Sequence, residues 1–118
     1  MPWPVAFHVA FEDEFVQLSL DVREALAAAA TLLVTHGPML GRPHADTLAG
    51  SKHANMKELR FTADDGVWRV AFAFDPQRTG ILLVAGDKAG VTQKRFYKAL
   101  IAKADARFAE HLAELKGN

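Results

Sequence analysis

The chain contains no cysteine, which excludes a disulfide framework, cysteine–zinc sites and thiol catalysis, and which fits a reducing compartment. It has no long hydrophobic run either. The longest, from Leu26 to Val34, is rich in alanine and falls far short of the roughly 20 residues that a membrane helix needs. The first residues, "MPWPVAFHVAFEDEF", have no basic start and meet acids by Glu12, unlike a signal peptide. A soluble cytoplasmic protein with no membrane partner is therefore expected. The glycines form no nucleotide fingerprint, because "GPMLGRP" and "GDKAG" lack the required spacing and the lysine–serine ending. GxSxG is absent, and no carboxylate pairing suggests glycoside chemistry. Five histidines are scattered without HExxH or an i, i+4 pair, so no metal site is expected.

Net charge is also lacking: 14 basic residues balance 14 acidic ones. Their distribution is uneven. Residues 1–50 hold two basic against six acidic residues, and residues 51–103 hold ten against five, an asymmetry that suits one face prepared for an anion. At 118 residues, half of them apolar, the chain reads as a single domain over 1–118 that buries roughly two-thirds of its unfolded surface.

"WPVAFHV" (3–9) is β-prone, with Pro4 suited to an edge or a first strand position. Phe15, Leu18, Val22, Leu26, Ala29 and Leu33 recur at helical steps, predicting a long N-terminal helix from about Glu12 that either runs on or bends within the alanine run. Residues 37–55 read as a loop with at most one helical turn. Three strands follow, "MKELRFT" (56–62), "WRVAFAFD" (68–75) and "GILLVAGDK" (80–88). Asp65-Gly66 is a two-residue hairpin signal. That turn pairs Thr62 with Arg69, Arg60 with Ala71, Leu59 with Phe72 and Phe61 with Val70, leaving the two arginines as diagonal neighbours. Thr92 can cap a last helix with Phe96, Leu100, Ala104, Phe108 and Leu112 on its core stripe. The class is α+β, an antiparallel sheet of about four strands covered on one face, with Arg60 and Arg69 over alanines on the other.

Two readings of that pair stand at this point. The arginines are either solvated and paired to Glu58, Asp64 or Asp65, or they form a fork for phosphate, which guanidinium binds bidentately. Lys88 ends an apolar strand, where it is either a solvent-reaching tail or a ligand group. Lys94 and Tyr97, three apart, share one side of the last helix, and Lys94, Arg95 and Lys98 crowd the end where the helix dipole disfavours cations. The stretch "GSKHANMKELRF" adds Lys52, His53 and Lys57, with His53 a candidate base. His8 is expected to be partly buried in the first strand, His36 to close a helix, and His44 and His111 to lie on the surface.

"GRPHADTLAGSKHANMKELRF", "WRVAFAFDP" and "ILLVAGDKAGVTQKRFYKALIAKADARFAEHL" together resemble the phage-derived, HigB-like branch of the RelE/ParE toxin superfamily. The resemblance covers residues 40–113 strongly and implies a RelE-like microbial RNase fold. It also implies a type II toxin that cleaves mRNA on the ribosome without metal or other cofactor and is neutralised by a small helix-turn-helix antitoxin, with room for higher-order toxin–antitoxin assembly. Carried over, Arg60 and Arg69 would clamp the phosphate, Lys88 and Lys94 would lie beside it, and Tyr97 would stack or transfer a proton. Lys52, His53, Lys57, Arg95 and Lys98 would contact RNA. Two alternatives are a ParE-like inhibitor of DNA gyrase without catalysis and a degenerate member that only binds antitoxin.

Overall fold

The computed structural model describes residues 2–117. In chain order the elements are β1 (Val5–Phe7), α1 (Val9–Phe15), α2 (Leu20–His36), a 3₁₀ turn (Gly37–Met39), β2 (Ala45–Thr47), β3 (Lys57–Ala63), β4 (Gly66–Phe74), β5 (Gly80–Asp87) and α3 (Gln93–Gly117). The strands form one sheet in the order β1-β5-β4-β3-β2. β1 runs parallel to β5, and the other neighbours are antiparallel. The α+β class holds, with five strands where about four were expected. β2 is the addition, three residues inside the segment read as loop.

The N-terminal helix is broken, and not at the alanine run. Ser19 has extended backbone and its Oγ accepts the Val22 N–H at 3.2 Å, so a fresh helix starts there and carries the alanines unbroken. His8 does the same for α1, its Nδ1 accepting from Ala10 N–H. His8 is buried as expected, but it lies one residue past β1, with Nε2 3.0 Å from Glu110 on α3. Arg107 of α3 donates to both carboxylate oxygens of Glu14 and to the Leu83 carbonyl, which ties α1, β5 and α3 together.

Both faces of the sheet are covered, which corrects the one-sided reading. On one side Phe11, Leu26 and Leu33 from the first two helices pack on Leu59, Val70, Phe72 and Leu82. On the other, Phe96, Leu100, Ala104 and Phe108 of α3 pack on Ala71, Ala73, Ile81 and Leu83. The alanines that suggested an open surface are small because a helix lies close over them. Each large side chain so buried contributes about 1.5–3 kcal/mol. Thr92 caps α3 as expected, its Oγ accepting from Arg95 N–H.

The hairpin register also differs. The two loop residues are Asp64 and Asp65, with φ of 49° and 59°, and Ala63 pairs with Gly66. Aspartate tolerates the left-handed region because its short polar side chain bonds locally. Here Asp64 also accepts a hydrogen bond from Ser19 Oγ at 2.6 Å, which holds the turn against the start of α2. Relative to the expected pairing the register slides by two, so every side chain keeps its face. Arg60 now stands directly opposite Arg69, Leu59 opposite Val70 and Phe61 opposite Trp68.

Candidate functional site

The Arg60 N–H donates outward to the His44 carbonyl at 2.8 Å. In an antiparallel ladder this makes Arg60–Arg69 a non-hydrogen-bonded pair, the kind with the shorter Cα separation of about 4.5 Å. Two cations so placed repel. What holds them is Glu58, two residues earlier on the same face of β3 and only 3% exposed. Its Oε2 accepts from Arg60 Nε at 3.1 Å and Nη2 at 2.9 Å, and its Oε1 accepts the Tyr97 hydroxyl at 2.8 Å. Arg69 Nε lies 4.0 Å from the same Oε1 and donates to no acceptor, although the atom is buried. The Arg69 guanidinium rests 5.5 Å from the Phe96 ring centroid and 5.6 Å from that of Tyr97, while its Nη1 donates to the Val67 carbonyl.

Four groups therefore converge at the N-terminal end of α3, two from β3, one from β4 and one from the helix. Asp46, Thr47, Gln93 and Tyr97 line a cleft of about 300 Å³ beside Glu58 and Arg60. The environment sets the protonation states. The Glu58 carboxylate raises Arg60 above its usual range, securing a permanent cation. Burial, then the hydrogen bond and charge of Glu58, push the Tyr97 phenol up against the opposing influence of Arg69, so it holds its proton at neutral pH. The arrangement offers fixed positive charge, a carboxylate acceptor and a phenolic donor within one contact network.

The other sequence candidates divide. Lys88 lies in the loop after β5, lining a groove with Arg69 at the hairpin end of the sheet. Helical periodicity puts Lys94 on the flank of Tyr97, Lys98 further round and Arg95 on the far side; all three are exposed. Lys57 points to the opposite face, donating to the Pro38 carbonyl. Lys52 and His53 sit against the middle of α3, about 12 Å along the helix from Tyr97. There the buried Asp105 accepts from Ser51 Oγ and from the Lys52 N–H, and the His53 ring meets Phe108 edge-on at 5.0 Å. Of the cations in the basic stretch, Arg60 alone reaches the cleft. His111, read as a surface residue, bonds buried Asp75 at 2.8 Å. Among the described residues no three His, Asp or Glu side chains gather as metal ligands would.

Glu58 is the member that the sequence reading left as a mere counter-ion. Its signal was its position, on the same strand face as Arg60 and two residues away, where burial beside a cation is geometrically available.

An α+β domain with helices on both faces of a short, mostly antiparallel sheet has the RelE fold. The solved structure of a double arginine-to-alanine mutant of the E. coli toxin RelE in the free state matches it with a TM-score of 0.58. At 13% identity it covers 87% of this chain and 97% of that one. The model of the phage-derived Gp49-like (DUF891) family matches residues 13–109, and the chain belongs to that family. Two Mycobacterium tuberculosis (strain ATCC 25618 / H37Rv) proteins, named as the toxins HigB2 and HigB3, are each 45% identical to it, over 100 and 103 residues. The chain spans 49% of the length of HigB2 and 88% of that of HigB3, the matches covering 84% and 87% of this chain.

Proposed function

We propose that the chain is the toxin of a type II toxin–antitoxin system and that it cleaves mRNA, held on the ribosome, at the Glu58–Arg60–Arg69–Tyr97 cluster. The observation that carries this reading is the directly opposed arginine pair, kept together by one buried carboxylate beside a protonated phenol. A phosphodiester is the substrate such a site suits, because its anionic transition state gains from preorganised cations and the reaction needs one group to take a proton and another to give one.

In this mechanism Arg60 releases Glu58 and joins Arg69 on the scissile phosphate. The ribose 2′-oxygen bonds to phosphorus as the bond to the 5′-oxygen breaks. Glu58 takes the 2′-hydroxyl proton, and Tyr97 gives its proton to the departing oxygen, leaving a 2′,3′-cyclic phosphate and a 5′-hydroxyl. The contact between Tyr97 and Glu58 then returns the proton to the phenol. Lys88 and Lys94 add positive charge at the rim. His53, set against Phe108, takes no part. A helix-turn-helix antitoxin would silence the chain.

The test maps mRNA 5′ ends after brief induction without antitoxin. Wild type should produce cuts within translated frames, and Arg60→Ala/Arg69→Ala should reduce them by at least about 10²-fold, as loss of transition-state donors does elsewhere. Growth arrest with intact messages would discard the ribonuclease reading.

A further inference from the structure

A groove lies on the side of Arg60 away from the cleft. About 710 Å³ of it is lined by Ala25, Ala28 and Leu32 of α2, by Phe61 and Thr62 of β3, and by Val67 of β4. Beside it the sheet is incomplete. β2 pairs only with Lys57–Leu59, and the chain leaves the edge at His44, which takes the Arg60 N–H. The alternation of an antiparallel strand then directs the Arg60 carbonyl and both backbone groups of Thr62 to this open edge. An unpaired edge beside an apolar trough is a template for an added strand.

The chemistry of the occupant follows. An extended segment continuing where β2 stops would alternate its side chains between the two faces of the sheet. Those facing α2 meet alanine, Leu32 and Phe61, which suit apolar residues. Those facing the other way lie beside Arg60, whose side chain is 42% exposed and is the one Lys, Arg, Asp or Glu side chain among the residues lining the groove. An alanine-lined trough with one arginine has nothing to track a phosphate backbone, so the fit is to protein rather than RNA.

We propose that an extended polypeptide segment of alternating apolar and acidic residues adds to β3 at Arg60–Ala63, filling the alanine groove and placing a carboxylate on Arg60. The proposal rests on the toxin reading in one respect: by taking Arg60, the segment disables the cleft without entering it, which would make it the neutralising contact.

The probe is a phage-displayed library of random peptides about eight residues long, selected on the purified full chain. Enriched peptides should alternate apolar residues with Asp or Glu and protect the Thr62 amide from hydrogen exchange. They should bind about tenfold or more weakly to Ala28→Glu, which puts a charge into the groove on an exposed helix position, and to Thr62→Pro, which removes the outward N–H. Neither residue belongs to the catalytic cluster, so both variants should keep the wild-type cleavage pattern. Should Thr62→Pro fail to fold, Ala28→Glu and the exchange measurement decide. Failure to enrich any peptide, or enriched peptides that bind both variants like wild type and leave Thr62 unprotected, would overturn the proposal. Peptides that bind the groove of a chain that cuts no RNA would uphold the docking site and sink the ribonuclease reading. Cleavage that persists with the groove saturated would overturn the link to neutralisation.

Discussion

Tyr97 is the chain's only tyrosine, so its ionisation can be read without ambiguity from the ultraviolet absorbance of the phenolate. Burial and the hydrogen bond to Glu58 raise it above the ordinary 10.0. A raised value means that the folded state holds the proton more tightly than the unfolded one. The stabilisation it brings is complete below pH 10.0 and is lost as pH rises through the folded-state value. The titration midpoint of the wild type should accordingly lie above 10.0, and Glu58→Gln should lower it only part of the way back, because burial is the larger cause. Tyr97→Phe should flatten the alkaline decline in stability and slow cleavage by about 10²-fold or more, the usual range for a general acid. A wild-type midpoint at or below 10.0 would mean that the phenol is not held by Glu58, and the proton-return step would fall with it.

At the scale of elements, the approach of α3 to the sheet sets the site. Gly86 of β5 stands opposite Arg69, and a Cβ there would lie 3.1 Å from the Phe96 ring, the ring that Arg69 and Tyr97 both rest on. Gly86→Ala should therefore shift Phe96, cost about 1 kcal/mol as overpacking does, and reduce cleavage although no catalytic group changes. Gly41→Ala, with nothing within 4 Å of the new methyl, serves as the control. Denaturant midpoints and cleavage rates check both, and equal effects at the two glycines would disconnect helix approach from activity. This same packing explains what the sequence made legible. The α3 stripe, its Thr92 cap and the three long strands follow from local periodicity and are present. The covered second face was in view too, since β5 is apolar on both sides, but Ala71 and Ala73 looked like exposure when they are clearance for Phe96 and Phe108. The hairpin register escaped because Asp65-Gly66 is the stronger local signal, and the contact that fixes Asp64 comes from Ser19, 45 residues away. The position of Lys52 and His53 away from the cleft escaped for the same reason: the α3 residues they sit against, Asp105 and Phe108, are remote in sequence.

For the whole molecule, zero net charge limits how RNA can be held. Proteins that track a nucleic-acid backbone with many cations lose affinity steeply as salt rises, by a logarithmic slope of about −0.7 per phosphate contact on single strands. In this chain the proposed contacts reduce to Arg60, Arg69, Lys88 and Lys94, of which Arg60 is already engaged by Glu58. Lys57 and Arg95 point elsewhere, Lys52 sits by the middle of α3, and the α1 acid that reaches α3, Glu14, is taken up by Arg107. A slope between about −2 and −3 is expected for a short single-stranded RNA, measured by fluorescence anisotropy across a salt series, and it should shrink by about one contact's worth in Lys94→Ala. Such a shallow slope would make affinity for free RNA modest, so cleavage would depend on a partner that presents the message, as the ribosome does. A slope steeper than about −5 would show RNA held along an extended basic track, and the compact four-residue cleft would then be too small to account for how the chain engages its substrate.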